Sequence, residues 1–283
     1  MWAGWRPGAT GERAPLASAA VTGSSEDLAL AHELADVADA IALSRFRAED
    51  LIVETKPDLT PVSESDRAVE QALRDRLAVA RAGDSFVGEE YGVSSAPDSR
   101  RRWIVDPIDG TKNYVRGAPV WATLLGLEED GEVTLGVVSA PALRCRWWAT
   151  RGGGGFVRDG LSEAPRRLRA SAVGELADAQ LCMYEIEGWR ELGRLDALLE
   201  LSSRCWRTGG FGDFWGYMLV AEGVVEIQMD PSVSVWDLAA LKVIVEESGG
   251  RFTDFAGVAR IDGGDAVATN GLVHDATLAF VGR

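Results

Sequence analysis

The spacing of apolar residues changes twice along this chain, and these changes limit the folds that the chain can adopt. Residues 120–158 form short alternating or apolar runs, separated by Asp130-Gly131 and by the glycines at 152–155, which predicts a β-meander with hairpin turns. Before this segment apolar residues recur at helical spacing, and after it predicted strands alternate with predicted helices. The sequence therefore predicts an α/β fold of layered helices and mixed sheets rather than a single βαβ series.

The other predicted elements surround the meander on both sides. The predicted helices cover 25–46, a segment around 69–77, 189–203, 214–222 and 236–248. The predicted strands outside the meander cover 85–88, 103–105, 181–184 and 224–229. Residues 106–111 directly follow one of these apolar strands and are predicted to be a loop.

The charge of the chain limits its partners. Lys and Arg total 29 against 44 Asp and Glu, so the formal charge of the 283 residues is −15. Such a charge repels nucleic acids and anionic membrane surfaces, and no apolar run reaches the roughly 18 residues of a membrane span, so neither partner is expected. A small anionic substrate would be repelled as well, unless bound cations reverse the local potential.

Cysteine and histidine are scarce. The three cysteines are widely spaced and fit no disulfide framework or CxxC metal site, which favours a reducing, cytoplasmic location. The two histidines exclude a His-rich metal centre, so any metal must be held by oxygen. Residues 1–23 contain Pro7, Pro15 and four glycines and lack the apolar stretch of a secretory signal. They are predicted to be a disordered tail, or an overlong start, ahead of a single catalytic domain over residues 24–283.

The hexapeptide Asp-Pro-Ile-Asp-Gly-Thr at 106–111 is the most informative motif. Asp106 and Asp109 lie three residues apart after a buried strand, and the carbonyl of Ile108 lies between them as a third possible oxygen donor. Hard cations such as Mg²⁺ prefer such ligands and keep several waters. Gly110 and Thr111 offer backbone amides where a helix or tight turn begins, which suits a phosphate group. The same residues are also good turn formers, so the motif alone leaves both interpretations open.

Three acidic residues elsewhere strengthen the functional interpretation. Glu89 ends the short strand over 85–88, Asp66 begins the second helix, and Asp237 begins an otherwise apolar helix. Each has an ordinary structural explanation as well; for Asp237 it is that acids are common at the N-termini of helices. Their joint occurrence with the hexapeptide favours a carboxylate-bound metal cluster.

These motifs resemble the inositol monophosphatase superfamily, whose members are Mg²⁺-dependent phosphatases. The likeness runs from about residue 27 to the C-terminus, in order and at the spacing of the family. It rests on five motifs: Pro61-Val62-Ser63-Glu64-Ser65-Asp66, Gly88-Glu89-Glu90, residues 103–113, Trp236-Asp237-Leu238-Ala239, and Glu246-Glu247-Ser248-Gly249-Gly250.

The resemblance implies a fold, a cofactor and a role for each site residue. It implies an αβαβα five-layer sandwich, a homodimer, and two or three Mg²⁺ in each site. It implies five metal-binding positions, namely Glu89, Asp106, the Ile108 carbonyl, Asp109 and Asp237. The amides of Gly110 and Thr111 would hold the phosphate. Asp66 and Thr111 would orient and deprotonate the attacking water.

Within the superfamily the chain looks most like the histidinol-phosphate phosphatases of actinobacteria. The resembling stretches lie at 55–62, 115–121, 138–148 and 212–214. Asp213 occupies the last of these, and Asp230 aligns with a family position that contacts substrate. Histidinol phosphate carries an ammonium and a partly protonated imidazole, which two acids suit better than they suit neutral inositol. Asp213 as a helix N-cap and Asp230 as a turn residue are the structural alternatives.

Other functions within and outside the family stay open at this point. The alternatives are an inositol-1-phosphate phosphatase, a fructose-1,6-bisphosphatase and, from a different class, a non-catalytic metal-binding or scaffolding protein that keeps the fold. The last would predict a lost metal ligand or a lost Thr111, and neither is lost. The expected partner is a small phosphorylated metabolite.

Overall fold

The computed structural model describes residues 25–57 and 59–282. The predicted tail over residues 1–23 and the Ser24 that precedes the first helix lie outside the described residues. The helices are α1 (Ser25–Arg45), α2 (Glu64–Ala80), α3 (Thr111–Val115), α4 (Ile186–Glu191), α5 (Leu195–Arg204), α6 (Asp213–Ala221), α7 (Val235–Glu247) and α8 (His274–Val281). In the described ranges no helix is long and apolar enough to cross a membrane.

The strands form two large sheets and one small ribbon. The ribbon pairs β1 (Val53–Thr55) with β2 (Pro61–Ser63). The first sheet comprises β3 (Ser85–Gly88), β4 (Gly92–Ser94), β5 (Arg101–Asp109), β6 (Ala122–Glu129), β7 (Glu132–Ala140), β8 (Cys145–Thr150), β9 (Gly154–Arg158) and β10 (Arg166–Arg167). The second comprises β11 (Gln180–Cys182), β12 (Arg207–Thr208), β13 (Ile227–Asp230), β14 (Arg251–Thr253) and β15 (Ala266–Thr269).

Both sheets are mixed, as the sequence predicts. The first has the order β10-β9-β8-β7-β6-β5-β3-β4, and its β6 to β9 are the predicted meander. Its strands pair antiparallel except for β3 and β5, which run parallel and therefore end at the same edge. The second has the order β12-β11-β13-β15-β14, with β11 parallel to both of its neighbours.

Five layers result from the packing of apolar helix faces against these sheets. Helices α1 and α2 cover the outer face of the first sheet, where Leu34, Leu73 and Trp103 are fully buried. Helices α6 and α7 fill the space between the two sheets, and their side chains form the central core. Helices α4, α5 and α8 cover the far face of the second sheet, around Trp189. The predicted αβαβα sandwich is therefore confirmed.

Helix α7 approaches the first sheet unusually closely, because two glycines face it. Gly126 of β6 and Gly136 of β7 are direct partners across the strand pair. A Cβ on Gly126 would lie 2.7 Å from the Ala239 Cβ, and one on Gly136 would lie 2.5 Å from the Ala240 carbonyl oxygen. Any larger residue would displace α7, whose first turn carries Asp237.

Three sequence predictions differ from the structure. The helix predicted over 189–203 is two helices, because Gly193 adopts a φ of 69° after α4 and the chain turns before α5 begins. The loop predicted over 106–111 is in part strand, since β5 continues to Asp109 through an irregular register. Several elements had no predicted counterpart, since their segments are short and lack a long amphipathic repeat: strands β1, β2, β4, β10, β12, β14 and β15 and helix α8.

Replacement of Gly136 by alanine tests the close approach. Because the added methyl would meet the α7 backbone, we expect Gly136→Ala to lower the free energy of unfolding by about 2 kcal/mol. Gly83→Ala is the matched control, since a Cβ there meets nothing within 4 Å and should change stability by less than about 0.5 kcal/mol. Urea unfolding measures both, and equal stabilities would show that α7 does not depend on the glycine pair.

Candidate active site

A cavity of about 310 Å³ opens where β3 and β5 end and where α3, α6 and α7 begin. Most of the candidate residues line this cavity: Glu89, Asp106, Ile108, Asp109, Gly110, Thr111, Asp213, Asp230 and Asp237. Asp66, the remaining one, lies fully buried behind Thr111. The fold thus gathers residues from 66 to 237 at one point.

Three carboxylates form the centre of the cavity. Asp106, Asp109 and Asp237 each place an oxygen within 4.8 Å of the other two, which is close enough for one cation to contact all three. Asp106 is 2% exposed, and its Oδ1 has no hydrogen-bond partner. A buried, unpaired carboxylate oxygen is costly unless a cation or a proton compensates it.

The irregular register of β5 explains why Asp106 and Asp109 can share a site. Residues three apart in a regular strand point to opposite faces of the sheet. Here the pairing with β6 shifts between Asp106 and Asp109, as in a β-bulge, and both carboxylates reach the same cluster. The Thr123 hydroxyl donates to the Pro107 carbonyl at 2.8 Å and so ties the irregular segment to β6.

Two helix N-termini present aspartates in the same manner. Asp66 is the third residue of α2, and its Oδ2 accepts from the amide of the N-cap residue Ser63 at 2.9 Å. Asp237 is the third residue of α7, and its Oδ2 accepts from the Ser234 amide at 2.7 Å. One oxygen of each carboxylate is thus fixed by the helix, and the other is left for the site. Asp66 and Asp237 therefore each stabilise the N-terminus of a helix and also contribute to the site.

Burial and mutual repulsion perturb the acids of the cluster. Burial raises the pKa of Asp106 and of Asp109 well above the ordinary value, and neighbouring carboxylates raise both further. Burial also raises the pKa of Asp237 to about 7, although the Ser234 amide opposes this effect. An oxygen-only donor set that resists ionisation by itself is what a hard divalent cation stabilises, so these residues fit Mg²⁺.

Glu89 faces the cavity but lies outside the group of three. Its carboxylate contacts Lys56 Nζ at 2.7 Å, and the same ammonium contacts Glu90 at 2.6 Å. Burial disfavours the charged form of Lys56, but the hydrogen bonds to Glu89 and Glu90 outweigh it and raise the Lys56 pKa. One ammonium therefore offsets part of the charge of these two carboxylates.

Thr111 connects the hexapeptide to Asp66. Its Oγ1 lies 2.9 Å from the Ile108 carbonyl and 3.1 Å from Asp66 Oδ1, so its single proton can serve either acceptor. Gly110 has a φ of 81°, and a Cβ there would lie 2.9 Å from the Val120 carbonyl, so only glycine fits this turn into α3.

Asp213 and Asp230 line the cavity beyond the metal cluster. Asp213 is not the N-cap of α6, as one interpretation predicted, because Gly212 holds that position and Asp213 is the first helical residue, with a φ of 49°. Its Oδ2 accepts from Asn113 Nδ2 at 2.9 Å. Asp230 accepts from the Tyr217 hydroxyl at 2.7 Å. Burial, reinforced by the charge of Asp230, raises the pKa of Asp213 to about 7. A cation placed between them would relieve this repulsion.

Comparison with known proteins identifies the family. The model of the inositol monophosphatase family matches residues 24–279. The chain belongs to this family. The histidinol-phosphatase of Mycobacterium tuberculosis is 54% identical over 90% of this chain and 97% of the relative, and that of Streptomyces coelicolor is 50% identical over 91% and 97%. The crystal structure of the extragenic suppressor protein suhB from Bartonella henselae has a TM-score of 0.82 at 27% identity, covering 92% of this chain and 99% of that one.

Some residues that line this cavity were not predicted from the sequence to be site residues. Lys112 and Glu185 line the cavity and contact each other at 2.5 Å. Tyr184 and Trp236 also line it. Lys112 directly follows the hexapeptide in the sequence, and this position was a signal that it belongs to the site. Glu185 follows a short strand and carries no motif that would have marked it.

The cluster predicts how pH and Mg²⁺ act together on stability. The folded-state pKa of Asp237, about 7, exceeds the ordinary 3.8, so its stabilising contribution is complete below 3.8 and is lost as the pH rises through 7. A bound cation would replace the lost proton. We therefore expect saturating Mg²⁺ to raise the melting temperature by about 5 °C near pH 8 and by much less near pH 5.5.

Thermal unfolding in EDTA and in Mg²⁺ at both pH values measures this effect. Asp106→Asn is the matched variant, since it removes one buried charge at nearly constant volume and should reduce the Mg²⁺ shift. Equal Mg²⁺ shifts at both pH values in the two proteins would contradict a metal-binding cluster.

Proposed function

We propose that this chain is a metal-dependent histidinol-phosphatase, which converts L-histidinol phosphate and water into L-histidinol and phosphate. The observation that carries the proposal is a cavity with two acidic regions: a carboxylate cluster suited to cations, and beside it Asp213 and Asp230, suited to a cationic alcohol. Identities of 50% and 54% to two histidinol-phosphatases, over nine-tenths of the chain, support the choice of substrate.

The metal cluster is proposed to hold two or three Mg²⁺. Four carboxylates and one carbonyl would bind them, from Glu89, Asp106, Asp109, Asp237 and Ile108. When bound, the cations supply positive charge to the phosphoryl oxygens and to the leaving oxygen and make a water more acidic. Each Mg²⁺ also offsets two carboxylate charges, so the acidic chain can accept an anionic substrate. Lys56 also contacts Glu90 at 2.6 Å, so its ammonium would keep a carboxylate partner when Glu89 binds a cation.

The chain itself binds and orients the reacting groups. The amides of Gly110 and Thr111 are proposed to hold phosphate oxygens at the start of α3. The Thr111 hydroxyl, which can donate to Asp66, would accept from the attacking water and direct a lone pair of that water toward phosphorus. Burial raises the pKa of Asp66, which brings this carboxylate nearer to the proton affinity of an effective general base.

The alcohol portion of the substrate would lie against the second acidic region. Burial and the charges of Asp230 and Glu185 raise the pKa of Asp213, and burial with the charge of Glu185 raises the pKa of Asp230, so an ammonium or imidazolium is the group that these two aspartates would bind most favourably. Inositol 1-phosphate presents hydroxyls alone to the same carboxylates and gains no ion pair. An inositol-1-phosphate phosphatase is therefore the second candidate, favoured only by membership of the family.

The proposal retains the organisation predicted from the sequence. It takes residues 24–283 as one catalytic domain that acts on a small phosphorylated metabolite as a cytoplasmic homodimer. The match of the family model to residues 24–279 supports these bounds.

Two substitutions of Thr111 test the role of its hydroxyl. Thr111→Ala keeps the backbone amide and removes the group that orients water, so kcat should fall by about 10²-fold with little change in KM. Thr111→Ser should recover most of the rate, because it restores the hydroxyl. Steady-state phosphate release measures both variants, and similar rates for the alanine and serine variants would contradict the role.

A comparison of two esters tests the substrate. Wild-type protein should prefer histidinol phosphate over inositol 1-phosphate in kcat/KM by about 10- to 100-fold, since one charge-assisted hydrogen bond contributes roughly 1.5–3 kcal/mol. Asp213→Asn should reduce histidinol phosphate hydrolysis by a similar factor and leave inositol 1-phosphate nearly unchanged. The exposed Asp196→Asn on α5 is the control and should change neither rate.

The outcomes separate the substrate from the residue. Equal hydrolysis of both esters by the wild type would contradict the histidinol-phosphatase proposal. Discrimination that survives Asp213→Asn would keep the substrate and transfer the role to Asp230.

A further inference from the structure

A second buried carboxylate of α2 lies against the turn that carries Glu89. Glu70 is 0% exposed, and its two oxygens accept from consecutive backbone amides, Oε2 from Glu90 at 2.6 Å and Oε1 from Tyr91 at 3.0 Å. A carboxylate that accepts two amides in this way fixes the direction of the backbone that donates them. These are the two residues that directly follow Glu89.

The residue before Glu89 is held by the same group. A Cβ built on Gly88 would lie 2.2 Å from Glu70 Oε1 and 2.7 Å from Oε2, so the carboxylate is packed directly on the Gly88 backbone. Position 88 therefore requires glycine because a side chain would collide with Glu70. The backbone conformation does not require it, since the φ of Gly88 is negative and ordinary. Glu70 thus contacts the chain on both sides of Glu89.

Arg74 lies one helical turn further along α2 and contacts both Glu70 and the β3–β4 hairpin. Its guanidinium pairs with Glu70 at 3.0 Å, donates to the Gly92 carbonyl, and lies over the Phe86 ring with 4.2 Å to the centroid. It therefore contacts both strands of the β3–β4 hairpin, with Phe86 on β3 and Gly92 on β4. Arg74 thus gives the buried carboxylate a charged partner while both of its oxygens accept the backbone amides.

Helix α2 therefore connects two parts of the site. It carries Asp66, which contacts Thr111, and one turn later Glu70, which holds the backbone around Glu89. Residues four apart lie on the same face of a helix, so both carboxylates point away from solvent toward the sheet.

We propose that Glu70 is a positioning residue for metal binding: it holds the turn over residues 88–91 so that the Glu89 carboxylate faces Asp106 across the cavity. This inference rests on the proposed function, in which Glu89 is a metal ligand. Nothing in the sequence motifs marks Glu70, because it lies mid-helix, away from the Gly-Glu-Glu motif that it holds.

Glu70→Gln is the direct test, with Mn²⁺ as an observable substitute for Mg²⁺. Glutamine keeps the size, but its single carbonyl cannot accept from both amides at their present positions, and its NH₂ would face one of the N–H groups. We expect the affinity for Mn²⁺, measured on substrate-free protein by the EPR signal of unbound Mn²⁺, to fall by about 10-fold or more. Glu89→Gln should show a loss at least as large.

A matched variant separates positioning from a general loss of stability. Glu226 is also buried, at 5% exposure, and accepts from the Gln180 amide at 2.7 Å and from Ser171 Oγ at 2.8 Å, away from the cavity. Glu226→Gln should lower the melting temperature to a similar extent and leave Mn²⁺ affinity unchanged. If Glu70→Gln does not fold, Glu70→Asp serves instead, since its shorter side chain keeps the charge, withdraws from the amides, and should weaken Mn²⁺ binding by a smaller factor.

Each outcome has a distinct meaning. Weak Mn²⁺ binding in the Glu70 and Glu89 variants, with wild-type binding in Glu226→Gln, supports the positioning role. Wild-type affinity in the Glu70 variant beside a loss in Glu89→Gln overturns the role and leaves the proposed function intact. Wild-type affinity in Glu89→Gln overturns the metal assignment itself. An equal loss of Mn²⁺ affinity in the Glu226 variant would show that Glu70→Gln weakens Mn²⁺ binding only by destabilising the fold, which overturns the positioning role.

Discussion

The close contact between helix α7 and the paired glycines of β6 and β7 is the constraint on which the rest of the structure depends. Helix α7 lies between the two sheets, so its distance from the first sheet also sets the distance between the sheets. Its first turn carries Asp237, which must reach Asp106 and Asp109 on β5, a strand next to β6. Gly126 and Gly136 therefore affect the catalytic cavity without lining it.

The carboxylate cluster lowers the stability of the fold locally, because its acids are buried close to one another. The fold tolerates this loss because the site needs the cluster. Burial removes part of the water that would otherwise solvate these acids, and it raises the pKa of Asp106, Asp109 and Asp237. The surrounding structure compensates in part through fixed donors, such as the Ser234 amide on Asp237 and the Phe214 amide on Asp109. These donors also set the direction of each carboxylate. The remaining negative charge is available to a cation, which gives the acidic chain its route to a phosphate ester.

The sequence was sufficient to predict the family and the layered fold, and both predictions are confirmed. The strongest signals were local. Two of the three turns that join the meander strands β6 to β9 contain glycine. An apolar and largely buried helix such as α7 has few alternatives. Signals failed where local preference was weak. The predicted helix over 189–203 contains only one glycine to mark its break, and the short C-terminal strands of the second sheet are recognisable as strands only beside their neighbours.

The sequence by itself determined which chemical groups are present: oxygen donors without histidine, a glycine-threonine turn after them, and serines placed to cap the helices that carry Asp66 and Asp237. Tertiary structure alone decided how these groups meet. The bulge that turns Asp106 and Asp109 toward one point exists because β5 pairs with β6, and the support of Glu89 by Glu70 exists because α2 packs beneath β3. The physical reason is that side-chain identity is a property of one position. Carboxylate separation, burial and shared hydrogen bonds are properties of pairs, fixed only when distant segments pack together.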